Sequence, residues 1–114
     1  MKNTLFFCKT NYCNSEGIFQ TGRYSNGRLG IVFIDHITGE PLLKITVNVP
    51  EIQIMENEII IKDYSENEGV ARWLIDEKLV EPEFRTEAND FVFFLIFKIT
   101  DKFKQVLDVD VVNL

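Results

Sequence analysis

Histidine and cysteine, the side chains suited to nucleophilic and zinc chemistry, are few and scattered along this 114-residue chain. The one histidine, His36, stands in the turn-like run Asp35-His36-Ile37-Thr38-Gly39. Nucleophilic catalysis needs a positioned base beside a Ser or Cys. No such companion stands near His36, and an exposed turn residue is the plainer reading. Cys8 and Cys13 have no second histidine to activate them. Two Cys and one His fall short of the roughly four ligands of a structural zinc site. A secreted disulfide scaffold usually carries about four or more cysteines. Reduced thiols are therefore expected, with a Cys8–Cys13 disulfide left open.

Carboxylates are plentiful, but number alone does not make a glycosidase-type pair. The run Asp63-Tyr64-Ser65-Glu66-Asn67-Glu68 alternates oxygen donors. It lacks the calcium loop of about twelve residues with glycine at its sixth place. Gly22, Gly27 and Gly30 fit turns and strands and match neither common phosphate-binding glycine loop. No catalytic residue, cofactor or metal is expected.

The charge pattern is more informative. The formal net charge is −6, yet residues 51–90 hold twelve acidic and four basic side chains, or −8. Such a stretch repels nucleic-acid phosphates and attracts a basic surface. Direct nucleic-acid binding is not expected. Arg23, Tyr24 and Arg28 at a hairpin would be the place for stacking and phosphate contact if it occurred. A merely solvated acidic surface is the plainer alternative. The residues expected to meet a partner are Glu66, Glu68, Asp76 and Glu77, with Tyr24 and Arg28.

The elements that must position these groups are short. Hydrophobic residues are 46% of the chain and ten are Phe, enough for one core and one domain over 1–114. Strands are expected at 5–8, 18–24, 28–35, 42–49, 58–63, 83–87 and 91–99. Residues 9–17 read as a polar turn. Asn26-Gly27 predicts a type I′ hairpin, and Pro50 ends the strand before it. Ser65-x-x-Glu68 fits a capping box that opens a helix over about 66–78, with Trp73 as its buried anchor. Ala88-Asn89-Asp90 reads as a turn. Residues 103–112 fit a last strand or a short helix. The fold class is α+β, a mainly antiparallel sheet with one amphipathic helix packed on one face.

The longest apolar run, residues 91–97, is far below the roughly 20 residues of a spanning helix. The brief apolar run at 5–8 lacks the features of a secretory leader. No membrane is expected, and a cytoplasmic location is.

Several motifs carry a family resemblance: Gly22-Arg23-Tyr24-Ser25-Asn26-Gly27-Arg28-Leu29, Thr38-Gly39-Glu40-Pro41, Thr46-Val47-Asn48, and Ile61-Lys62-Asp63-Tyr64-Ser65-Glu66-Asn67-Glu68-Gly69 followed by Trp73-Leu74. Across about residues 22–85 the chain resembles a family of small domains of unknown function. Its members sit on conjugative elements, plasmids and phages of gut and oral bacteria. The resemblance implies a mobile-element origin and brings no catalytic residues. It also implies an inhibitor of host defence, with anti-CRISPR proteins first in mind. Such a protein would dock acidic residues on a type II RNA-guided nuclease and block guide RNA or target DNA. The alternative is an accessory or structural protein of a conjugative element, acting through protein contacts. A small Mg²⁺-dependent nuclease ranks third.

Overall fold

Alternating apolar residues and three short reversals build most of the molecule from antiparallel pairs. The computed structural model describes residues 4–88 and 92–107. Its strands are β1 (Phe6–Lys9), β2 (Asn14–Arg23), β3 (Leu29–Asp35), β4 (Pro41–Lys44), β5 (Glu58–Ile61), β6 (Val80–Ala88) and β7 (Phe93–Ile99). Two seven-residue helices, α1 (Val70–Asp76) and α2 (Asp101–Leu107), complete them, with a 3-10 turn at Ser65–Asn67. The class is α+β and the sheets are antiparallel, as expected.

The strands form two sheets, ordered β1-β2-β3-β4 and β5-β7-β6. They are joined where the chain leaves β4. Ile45 N–H still bonds Ile31 of β3, while Thr46 bridges Ile61 and Val47 N–H reaches Ile60 of β5. The expected strand at 42–49 is thus shared between two partners. Thr46 is the pivot: its hydroxyl oxygen accepts from the Ile31 N–H at 3.1 Å and lies 2.9 Å from the Tyr24 hydroxyl.

Both helices cover the same side of the sheets. Phe19 is the hub of the main core, with ring centroids 5.3 Å from Phe6, 5.0 Å from Phe33, 5.7 Å from Trp73 and 5.0 Å from Phe103. Aromatic pairs of this kind contribute about 0.5–1.5 kcal/mol each beyond area burial. The Trp73 indole N–H donates to the Phe7 carbonyl at 3.0 Å, so burying it leaves no orphan donor. A smaller core of Val49, Ile52, Ile60, Phe94 and Ile96 lies on the other face of β5 and β7. That is why β5 is buried at every position.

Several local expectations are corrected. The helix over 66–78 is a 3-10 turn followed by α1. Ser65 sits at φ 54° and Gly69 at φ 96°, so the chain reverses twice before the helix starts. No capping box forms. Asp63 caps α1 instead: its carboxylate accepts the N–H groups of Gly69 at 3.1 Å and Ala71 at 2.9 Å. The Asn26-Gly27 turn is not type I′. Only Gly27 has positive φ, at 86°, and its N–H bonds the Tyr24 carbonyl at 2.8 Å. This is a type I turn closed by a left-handed glycine. Residues 14–17, expected as turn, belong to β2, because β1 pairs with them. β6 is longer than expected.

There are two helices among the described residues, not one. The segment from 103 resolves as helix over Asp101–Leu107, where the Thr100 hydroxyl accepts the Phe103 N–H at 3.2 Å. The expected turn at Ala88-Asn89-Asp90, the start of the expected last apolar strand at Phe91, and residues 108–112 lie wholly or partly outside the described residues.

Candidate functional site

The residues expected to meet a partner divide into two groups. Tyr24 and Arg28 are turned to internal duties. Tyr24 lies across Gly30, where an added Cβ would stand 3.2 Å from its ring. Its hydroxyl lies 3.2 Å from the Thr46 carbonyl, to which it can donate, and 2.9 Å from the Thr46 hydroxyl, with which it is hydrogen-bonded. The Arg28 guanidinium donates to the carbonyls of Val49 at 2.8 Å, Pro50 at 3.5 Å and Ile52. A guanidinium presents its donors in a fixed fork. Here the fork clips the 49–52 loop onto the β2–β3 hairpin.

Glu66, Glu68 and Asp76 are exposed near α1, and Glu77 is half-buried. Two of them have cations at hand. Lys62 pairs with Glu66, and the hydrogen bond from Lys62 holds that carboxyl below its ordinary range. Arg72 pairs with Asp76 at 3.4 Å. Glu68 has no ion pair among the described residues.

A second acidic group stands on β6. Every β6 residue after Val80 is exposed. The pairing of β6 with β7 sorts its side chains by face. Phe84, Thr86 and Ala88 stand opposite Phe97, Leu95 and Phe93, on the main-core side. Arg85 and Glu87 stand opposite Ile96 and Phe94, on the small-core side. An irregularity between Val80 and Phe84 opens a depression of about 390 Å³ lined by Asn57, Glu81, Glu83, Lys98 and Ile99. Glu56, Glu81 and Glu83 are exposed and have no ion pair among the described residues.

Arg85 fastens the 51–57 loop to this face. It donates to the Gln53 carbonyl at 2.6 Å, to Glu58 at 3.2 Å and to Glu87 at 2.9 Å. Glu58 is only 8% exposed. Burial pushes its carboxyl up. The Arg85 hydrogen bond, the Met55 N–H and the charges of Arg85 and Lys98 together outweigh burial and hold it below the usual range. The loop is thus held to β6 at Gln53, while Glu56 faces a hollow shared with Arg23 and Arg28.

Apolar side chains border the acidic strand. Phe84 is 51% exposed while stacking on Phe97 at 4.9 Å, and Phe93 is 74% exposed. A further shallow groove of about 260 Å³ lies across the glycine pair Gly22 and Gly30, with Arg23, Tyr24 and Lys44 on its rim.

His36 lies exposed in its turn, with its Nε2 3.6 Å from Glu16. Cys8 and Cys13 are both buried, free and within hydrogen-bond reach of each other. Burial pushes the Cys8 thiol far above its ordinary value, and the hydrogen bond and charge of Cys13 add to this. Among the described residues, no group of three or more His, Cys, Asp or Glu is placed to hold a metal ion. None of the described helices is long and apolar enough to cross a membrane.

Comparison of the chain with family models, curated proteins and solved structures finds no match to any of them. The β6 surface was not singled out by sequence reasoning, although a signal was present. Glu81, Glu83 and Glu87 share a two-residue period, which in a strand places side chains on one face.

Proposed function

We propose that this is a non-catalytic binding protein that presses an acidic face onto a basic surface of a protein partner. The observation that carries the reading is the pair of exposed carboxylates Glu81 and Glu83, which have no ion pair among the described residues and line one depression beside β6, with Lys98 as its one basic lining residue. Carboxylates left unpaired on one face set up a negative field that steers a positive partner into contact. The groups near α1, on the main-core side, are partly neutralised by Lys62 and Arg72.

The family resemblance supplies the particular partner within this proposal. It is a type II RNA-guided nuclease in the bacterial cytoplasm, whose guide- or DNA-binding groove is basic. The protein would then be an anti-CRISPR inhibitor from a mobile element. The test is a DNA-cleavage assay with this protein added before or after guide loading. Inhibition only before loading means that guide assembly is blocked. Equal inhibition after loading points to target engagement. Intact inhibition by a Glu81→Lys/Glu83→Lys variant, or no inhibition across several type II nucleases, removes the reading.

Exposed Phe84 and Phe93 favour a second reading, an accessory protein of a conjugative element held by apolar contact. Added salt separates the two. Charge-led docking weakens as salt screens the field, and apolar docking does not.

A further inference from the structure

The β5-β7-β6 sheet ends at β6, which has a strand neighbour on its β7 side only among the described residues. Its residues 81–88 are exposed. A strand in that position presents unpaired backbone N–H and C=O groups to whatever comes alongside. Peptide recognition by strand addition uses such edges, with backbone bonds giving affinity and alternate side chains giving specificity.

The two faces of β6 then dictate the guest. An added strand places its own alternate side chains beside those of β6. On the main-core side it meets Phe84, Thr86 and Ala88, with Phe93 beyond them. On the other side it meets Arg85 and Glu87 and, next to them, Glu83 in its depression with Lys98; Arg85 is already held by Glu58 and Glu87. That side therefore offers net negative charge. We propose that β6 accepts an extended segment of the partner in which basic and apolar residues alternate. This rests on the acidic-docking reading above and gives it a binding mode. Pro82 has no N–H, so the added ladder runs along residues 83–88. A second copy of the chain is the poorer occupant. Residues 81–88 carry three Glu and one Arg, so two such strands bring like charge together.

The experiment uses the whole protein and two synthetic peptides of identical composition. One alternates Lys and Val over seven residues, and the other places four Lys before three Val. Affinity is read by fluorescence anisotropy, and backbone amide exchange is followed along residues 81–88. The alternating peptide is expected to bind about tenfold tighter than the block peptide, because cross-strand pairs add only when the pattern matches. It is also expected to slow exchange at β6 amides, and Glu83→Gln/Glu87→Gln is expected to weaken it. Equal affinity for both peptides without β6 protection overturns strand addition and leaves acidic docking standing. No binding of either peptide also overturns it, while the nuclease assay decides the docking reading separately. A dimer in sedimentation that itself protects β6 shows a second copy in the edge and overturns the assignment of a basic guest.

Discussion

The Asp63 carboxylate lies 2.9 Å from the backbone nitrogen of Ala71, eight residues further along the chain. It also takes the Gly69 N–H, so two of the orphan donors around the start of α1 end on one side chain. The residues between them fold out of the way as a 3-10 turn.

Replacing Asp63 with Ala should cost about 1–2 kcal/mol in urea unfolding, the range for a lost helix cap. Ser65→Ala and Glu68→Ala should each stay within about 0.5 kcal/mol, as for surface changes without a structural duty. The reverse ranking would restore the capping box.

Gly17 should tolerate no side chain. A Cβ there would stand 2.2 Å from the Ile34 carbonyl oxygen and 2.9 Å from the Phe33 ring. Neither neighbour can move freely, since one is backbone in β3 and the other is fully buried. Gly17→Ala should lose about 1–3 kcal/mol, the usual cost of overpacking. Gly22→Ala, which meets nothing within 4 Å, is the control.

Glu58 should make stability sensitive to acid. Its folded value lies below the ordinary 4.5, so its contribution is fully present above that pH. The contribution is lost as pH falls through the depressed value. Glu58→Gln should flatten the acid limb of a stability–pH curve. Arg85→Met should cost about 1–2 kcal/mol by leaving a buried carboxylate short of a donor, with solvent at the half-exposed arginine moderating the loss.

The cysteines should be slow to react in the folded protein. Both are buried, and burial disfavours the Cys8 thiolate, which is the reactive form. Maleimide labelling should be slower by about a hundredfold or more than in denaturant. Because the folded Cys8 value is raised, stability should hold below the ordinary thiol value of 9.0 and decline as pH rises beyond it. Fast labelling in the native state would contradict the packing of β1 on β2.

Period and turn chemistry were enough to read most strands. Ile31 and Phe33 alternate with Val32, and Gly27 and Gly39 mark reversals that both formed. The helix cap was misread because Ser65 and Glu68 match a local pattern, whereas Asp63 wins by reaching over a bend that no local pattern encodes. The internal hydrogen bonds of Tyr24 and Arg28 are likewise invisible to a local pattern. Their partners, Thr46, Val49 and Ile52, lie more than twenty residues away.

Composition and spacing by themselves determined the α+β class, the antiparallel pairing and the acidic excess over residues 51–90. Each follows from near neighbours in the chain, through side-chain period, turn geometry and counted charge. Tertiary structure alone decided which carboxylates are left unpaired. Lys62 and Arg72 reach Glu66 and Asp76 within a turn or so, but Arg85 reaches Glu58 across a sheet. That left Glu81 and Glu83 exposed on a strand whose outer edge depends on the order β5-β7-β6. Strand order is set by which apolar faces can be buried together, a property of the whole core that no short segment holds.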